Sequence, residues 1–139
     1  MPIKHMLGRL IPFFKFYWAA LIWAAFIFLL MALPGEDLPD FDFWAVNIED
    51  KIGHVGVFGI LAFLLSWGAK RHLNMIDKSV LIKLMMLCIS YGALTEFLQG
   101  VAFPTRFASF WDFVADSLGA FLGIVFARFA FTNLYRKKS

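Results

Sequence analysis

Four long apolar stretches dominate the chain, and short polar segments separate them. The stretches cover about residues 16–33, 51–69, 80–98 and 112–131. A helix rises about 1.5 Å per residue, so a segment of roughly 20 apolar residues crosses the hydrocarbon layer of a bilayer. The first stretch is also longer than the roughly 7–15 apolar residues of a signal peptide. The pattern therefore predicts an all-α membrane protein, a single domain over residues 1–139 that forms a four-transmembrane-helix bundle.

The segments between these stretches differ in charge. They are a basic arm before residue 16, an acidic loop at 34–50, a turn at 70–79, a loop at 99–111 and a basic tail at 132–139. All Lys and Arg except Lys51 and Arg106 lie in or beside the arm, the turn and the tail, whereas all acids except Asp77 lie at the other ends of the helices. Basic short loops stay in the cytoplasm. We therefore expect both termini inside (N-in/C-in), with the loops at 34–50 and 99–111 outside.

The composition supports the membrane class and argues against nucleic-acid binding. Apolar residues make up 61% of the chain, against about 45–50% in an ordinary soluble domain. The net charge of +3 is not gathered on a basic face interleaved with polar residues, so nucleic acid is not an expected partner. Cys88 is the only cysteine and lies in an apolar run, which makes it a packing residue and excludes an intrachain disulfide.

Polar side chains are concentrated where the second helix begins, the third ends and the fourth begins. They are Lys51, His54, Glu96, Gln99, Arg106, Ser109, Asp112 and Asp116. The predicted topology brings all of them to the outer end of the bundle. Ionisable groups in apolar sequence are unfavourable unless they are paired or hydrated, so they are functional candidates by default. One shared polar pocket is the simplest hypothesis for this set.

The candidate catalytic residues are His54, Glu96 and Asp116. Histidine titrates near neutrality and can act with a neighbouring carboxylate as a general acid and base. One histidine with two or three carboxylates can also bind a divalent cation, although no metal-binding motif of recognised spacing is present. No other cofactor is expected, and the metal ligands stay unassigned. For His54 alone, a hydrogen-bonded packing role is the alternative.

The candidate ligand-binding residues are Lys51, Gln99, Arg106, Ser109 and Asp112. Arg106 can hold a phosphate or a carboxylate with two hydrogen bonds, and Lys51 can add a point charge.

Three features have purely structural alternatives. Lys51 can pair with Asp50 at the membrane interface, and Asp112 can cap the fourth helix and complement its dipole. For Glu96 and Asp116 the alternative is a hydrogen-bond network that fixes the helix register.

Glycines recur on two of the predicted helices. Gly53, Gly56 and Gly59 form a stripe on the second helix, and Gly119 and Gly123 form a GxxxG pair on the fourth. Small residues at such spacing let helices approach closely in membranes. We therefore expect both sets to lie at helix–helix interfaces.

Two segments together resemble the VanZ-like family. DKIGHVGVFGILAFLL at residues 50–65 resembles its D-K-x-x-H-x-x-x-[FY]-x-x-L motif, and residues 93–123 are similar to its E-x-x-Q, P-x-R and D-x-x-x-[ND]-x-x-G pattern. The matching positions are Lys51, His54, Glu96, Gln99, Arg106, Asp112, Asp116 and Gly119. Many members have Asn where this chain has Asp116. The family comprises small proteins of the bacterial cytoplasmic (inner) membrane and is named for a teicoplanin-resistance protein, so the resemblance implies a cell-envelope role.

Three functions are compatible with these features. The first is binding of an anionic envelope lipid or lipid-linked precursor headgroup in the outer pocket. The second is an enzyme that acts on such a lipid, with His54 and Glu96 or Asp116 as acid and base or as metal ligands. The third is a structural or partner subunit whose polar cluster only locks the bundle. Assembly into a homo-oligomer stays open.

Overall fold

Four α-helices make up the computed structural model, which describes residues 2–32, 48–102 and 108–136. They are α1 (Pro2–Ala32), α2 (Ile48–Leu73), α3 (Lys78–Ala102) and α4 (Phe110–Arg136). Each contains a segment long and apolar enough to cross a membrane, at Phe13–Ala32, Asp50–Leu73, Lys78–Ala102 and Phe110–Thr132. The predicted all-α class with four membrane-spanning helices is confirmed.

Every helix is longer than its predicted apolar span. α1 begins at Pro2, and much of the basic arm is therefore helical. α3 continues to Ala102, into the segment expected to form a loop from residue 99. Lys, Arg, Met, Leu and Gln are good helix formers, so a helix need not end where its apolar run ends. Most of the predicted acidic loop at 34–50 lies outside the described residues.

The turn between α2 and α3 is fixed by local hydrogen bonds. Asn74 has a φ of 60°, the left-handed conformation that commonly ends a helix. Lys70 Nζ donates to the Asn74 carbonyl at 2.8 Å. The Val80 N–H donates to Asp77 Oδ1 at 2.8 Å, so Asp77 caps the first turn of α3. This tight connection makes α2 and α3 antiparallel neighbours.

The closest helix contact lies between α2 and α4, which also share the most extensive interface. Gly119 faces the backbone carbonyl of Val55, and Gly123 faces that of Gly59. A Cβ atom at either glycine of α4 would overlap these carbonyl groups. The predicted close packing of the GxxxG pair is therefore confirmed.

The glycine stripe on α2 contributes less than expected. A Cβ at Gly59 would lie 3.3 Å from the Gly119 carbonyl oxygen, which places Gly59 at the interface. A Cβ at Gly53 or Gly56 would meet nothing within 4 Å. The packing prediction is wrong for these two residues, because the rotation of α2 turns only one glycine of the stripe towards α4.

The interior of the bundle is apolar along most of its length. Phe58, Ile27 and Ala120 are fully buried and form its centre, and Cys88 packs there as predicted. Among the hydrogen bonds that hold α1 are two to main-chain carbonyls. Trp23 Nε1 donates to Val57 O at 2.8 Å, and the Tyr91 hydroxyl donates to Ala24 O at 2.6 Å.

The two ends of the bundle differ in polarity. The polar end is the end that holds His54, Glu96 and Asp116, where α1 and α3 finish and α2 and α4 begin. At the opposite, basic end, a cavity of about 500 Å³ is lined by Lys70, Ile76, Asp77, Lys78, Leu81, Arg128, Phe131 and Thr132. Which end faces the cytoplasm stays a prediction from the loop charges.

Candidate functional site

Three buried ionisable side chains from three helices meet at the polar end. His54 of α2 is 4% exposed, Glu96 of α3 is 6% exposed and Asp116 of α4 is 1% exposed. The structure thus brings together the three residues that the sequence suggested as catalytic candidates. We call His54, Glu96 and Asp116 the inner triad.

His54 and Asp116 form the closest contact of the inner triad. His54 Nδ1 and Asp116 Oδ1 are 2.8 Å apart, and both side chains are buried. The other ring nitrogen, Nε2, lies 3.9 Å from Oδ1 of the more exposed Asp50. A carboxylate bonded to Nδ1 fixes the orientation of the ring, so Nε2 faces Asp50. This arrangement is compatible with acid–base chemistry at Nε2.

Lys51 and Asp112 form an ion pair above the inner triad. Lys51 Nζ donates to Asp112 Oδ1 at 2.6 Å, and both side chains are partly buried. The sequence suggested Asp50 as the partner of Lys51. Among the described ion pairs the partner is Asp112, because α4 approaches α2 so closely at this end.

Glu96 is anchored by Ser109, the residue immediately before α4. The Ser109 N–H donates to Glu96 Oε2 at 2.8 Å. Ser109 Oγ in turn accepts from the Asp112 N–H at 3.3 Å, and its carbonyl accepts from Asp112 and Phe113. Ser109 is therefore the N-cap of α4. The alternative that Asp112 is the cap is wrong, although Asp112 does lie in the first turn.

Gln99 turns towards α1. Its Nε2 donates to Met31 O at 3.4 Å and approaches Met31 Sδ at 3.2 Å, and Gln99 is 3% exposed. Gln99, a predicted ligand-binding residue, therefore contacts Met31, which was not among the predicted site residues. Nothing in the apolar run of α1 distinguishes Met31 except its position at the end of the span.

Two carboxylate oxygens of the inner triad have no partner in the described part of the chain. They are Glu96 Oε1 and Asp116 Oδ2, and both are buried. Beside them, a Cβ at Gly92 would lie 3.1 Å from both Cβ and Oδ2 of Asp116. Gly92 thus leaves room for the Asp116 carboxylate against α3, a role that no feature of the sequence indicated.

Two groups of three side chains at the polar end offer possible cation ligands among the described residues. Ligand atoms of His54, Glu96 and Asp116 lie within 4.8 Å of one another, and the same holds for Asp50, His54 and Asp112. The two groups share His54. Arg106, the predicted anion-binding residue, lies outside the described residues.

No family model, no curated protein and no solved structure matches this chain. The resemblance to the VanZ-like family therefore stays an expectation that rests on the motif residues.

The cap of α4 provides a test of how the site is held. We expect Ser109→Ala to destabilise the protein by about 1 kcal/mol, because the first turn of α4 loses its side-chain acceptor, and Ser109→Gly to cost only a few tenths. Both variants keep the backbone N–H that binds Glu96. Thermal and chemical unfolding in detergent would measure the difference.

Ser117→Ala is the matched control for this test. Ser117 Oγ only donates back to Phe113 O within α4, so we expect a change within about 0.5 kcal/mol. Equal stability of Ser109→Ala and Ser117→Ala would contradict the capping role.

Proposed function

We propose that the polar end of this membrane bundle binds the headgroup of a membrane lipid or a lipid-linked cell-envelope precursor. The observation that carries the proposal is the buried inner triad, whose two carboxylate oxygens lack partners in the described part of the chain. Buried polar atoms in proteins are nearly always hydrogen-bonded, to protein, water or ligand. A ligand that enters from the membrane boundary would provide partners for such atoms.

The surface around the polar end supports a lipid as the ligand. Ile52, Phe97, Phe110 and Trp111 are all more than 60% exposed there. In a membrane, such side chains contact acyl chains, and tryptophan favours the headgroup level. A lipid whose chains lie against this surface would place its headgroup beside Lys51 and Asp112.

The charges indicate which parts of a headgroup fit. Near the site, Asp50, Glu96, Asp112 and Asp116 face one lysine, Lys51, and His54. Carboxylates accept hydrogen bonds from hydroxyl, amide and amine groups. An anionic phosphate would need cations. We assign these to Arg106 from the sequence and to Lys51, whose ammonium group has three donors.

The resemblance to the VanZ-like family extends the proposal to a biological setting. We place the protein in the bacterial cytoplasmic (inner) membrane with the polar end outside. Envelope homeostasis, including resistance to the glycopeptide teicoplanin, is the phenotype that we would examine in a deletion strain.

An enzyme acting on the same lipid is the second candidate. The 2.8 Å contact between His54 Nδ1 and Asp116 Oδ1 favours it, because a carboxylate-oriented histidine is a common general base. The enzyme reading predicts that His54→Ala binds lipid normally and has no turnover. The third candidate is a structural role, in which the inner triad only fixes the positions of the helices. Variants of the inner triad would then lower the stability of the protein and change nothing else.

Native mass spectrometry of gently extracted protein tests the binding proposal. We expect wild-type protein to retain a lipid, and Lys51→Met and Arg106→Ala to retain at least several-fold less, because each removes a cation that holds the phosphate. Lys83→Met is the matched control, since Lys83 is an exposed lysine near the basic end of α3. Equal retention in all four proteins, or no lipid in wild type, would refute the proposal.

A further inference from the structure

Each of the two acids in the inner triad has a hydrogen-bond partner at only one of its carboxylate oxygens among the described residues. Glu96 is held through Oε2 by the Ser109 N–H, and Asp116 is held through Oδ1 by His54. In both, the second oxygen is buried and has no partner among the described residues. Each carboxylate is therefore oriented by one oxygen and presents the other to the interior of the site. For Glu96 the partner is the Ser109 N–H, and an outer hydrogen bond of this kind commonly fixes a ligating carboxylate.

The spacing of the inner triad is compatible with a bound cation. A metal ion binds oxygen and imidazole nitrogen at about 2.0–2.2 Å, so it joins ligand atoms that are up to about 4.3 Å apart. The candidate ligand atoms all lie within 4.8 Å of one another, a distance that small side-chain shifts would close.

We infer that His54, Glu96 and Asp116 bind one divalent transition-metal cation of the Zn²⁺ or Mn²⁺ class. One imidazole with two carboxylates is a mixed nitrogen and oxygen donor set, which suits these ions, whereas Mg²⁺ prefers oxygen alone and keeps its waters. Three protein ligands also leave coordination positions open for water or a headgroup oxygen.

The neighbouring group of Asp50, His54 and Asp112 is the weaker candidate. Asp112 already accepts a 2.6 Å hydrogen bond from Lys51, and the Asp50 side chain is 45% exposed. The unpartnered buried oxygens belong to the inner triad. We therefore place the ion there, and the two groups can be distinguished by mutation.

A bound cation would also change the charge of the site. It offsets the carboxylates and adds a positive centre to which a phosphate oxygen can bind. In this respect the inference rests on the proposed headgroup function. The anionic group of the lipid would be the part that contacts the metal ion. Cation binding itself needs no lipid and can be measured without one.

The experiment uses chelator-treated full-length protein in detergent. After size-exclusion chromatography, elemental analysis gives the Zn²⁺ content, and calorimetry with ZnCl₂ gives the affinity; MgCl₂ is the comparison. We expect about one Zn²⁺ per wild-type chain and at least a hundredfold weaker binding in Glu96→Gln and Asp116→Asn, which remove a ligand charge at constant shape. Asp50→Asn and His72→Ala are the controls and should bind like wild type.

A thermal shift provides a second readout. Zn²⁺ should raise the melting temperature of wild type and of both controls, because a ligand that binds only the folded state stabilises it. No Zn²⁺ binding by wild type, as expected for a site that holds only water, would overturn the inference, as would undiminished binding in both triad variants. Loss of Zn²⁺ binding in Asp50→Asn alone would indicate that the ion binds Asp50, His54 and Asp112 instead. This result would also overturn the inference.

These experiments distinguish a failure of the metal inference from a failure of the headgroup proposal. Lipid retained by chelator-treated protein without Zn²⁺ binding would leave the headgroup function standing and remove the metal. Zn²⁺ bound by protein that retains no lipid, with or without the ion, would leave the metal and remove the headgroup function.

Discussion

Gly123→Ala should destabilise the folded bundle by about 3 kcal/mol, the upper end of the usual range for overpacking. The added methyl group would overlap the Gly59 carbonyl group and lie 3.0 Å from Ala62 Cβ. A backbone carbonyl cannot rotate away as a side chain can, so α2 and α4 must separate. Because the inner triad joins these two helices through His54 and Asp116, the site should loosen with them.

Gly56→Ala is the matched control for this prediction. It makes the same chemical change on α2, where the new methyl group meets nothing within 4 Å. Alanine favours helix over glycine by up to about 1 kcal/mol, so this variant should be neutral or more stable. Melting curves in the same detergent would compare the two. Equal stabilities would show that the α2–α4 contact is not as close as described.

Asp116→Ala is expected to cost about 3 kcal/mol, between the effects of an unpaired buried polar group and a broken buried ion pair. His54 would lose its 2.8 Å partner while it stays 4% exposed. Asp50→Ala is the control, because Asp50 approaches the same ring only to 3.9 Å and is much more exposed. We expect the control to change stability by less than about 1 kcal/mol.

A double-mutant cycle isolates the His54–Asp116 contact from other effects. The stabilities of His54→Ala, Asp116→Ala and the double variant should give a coupling free energy above about 1 kcal/mol. Additive losses would mean that the two side chains act independently, and the inner triad would then not be a unit.

The helices and the grouping of the polar residues could be predicted from the sequence. The apolar runs set the number of spans. The alternation of basic and acidic segments then placed the start of α2, the end of α3 and the start of α4 at one end. His54, Glu96 and Asp116 had to share that end in any four-helix arrangement. The direct contact of His54 with Asp116 is an additional result of the structure.

The individual partners depend on helix rotation and close packing, which the sequence does not contain. Lys51 has Asp50 as its neighbour in sequence but pairs with Asp112, because α4 lies against α2. Ser109 and Asp112 are both suitable caps in sequence, and in the structure Ser109 Oγ accepts from the Asp112 N–H. Similarly, three glycines on α2 look equivalent in sequence, and one of them meets α4.

The contact between α2 and α4 also determines when the site can form during synthesis. Asp116 is 62 residues beyond its partner His54, and chains are made from the N-terminus. α2 therefore enters the bilayer before the carboxylate that will satisfy its histidine has been translated. Until α4 leaves the translocon, His54 needs a substitute partner, such as water at the interface or a chaperone, and a nascent chain arrested before Asp116 should be a target for quality-control proteases.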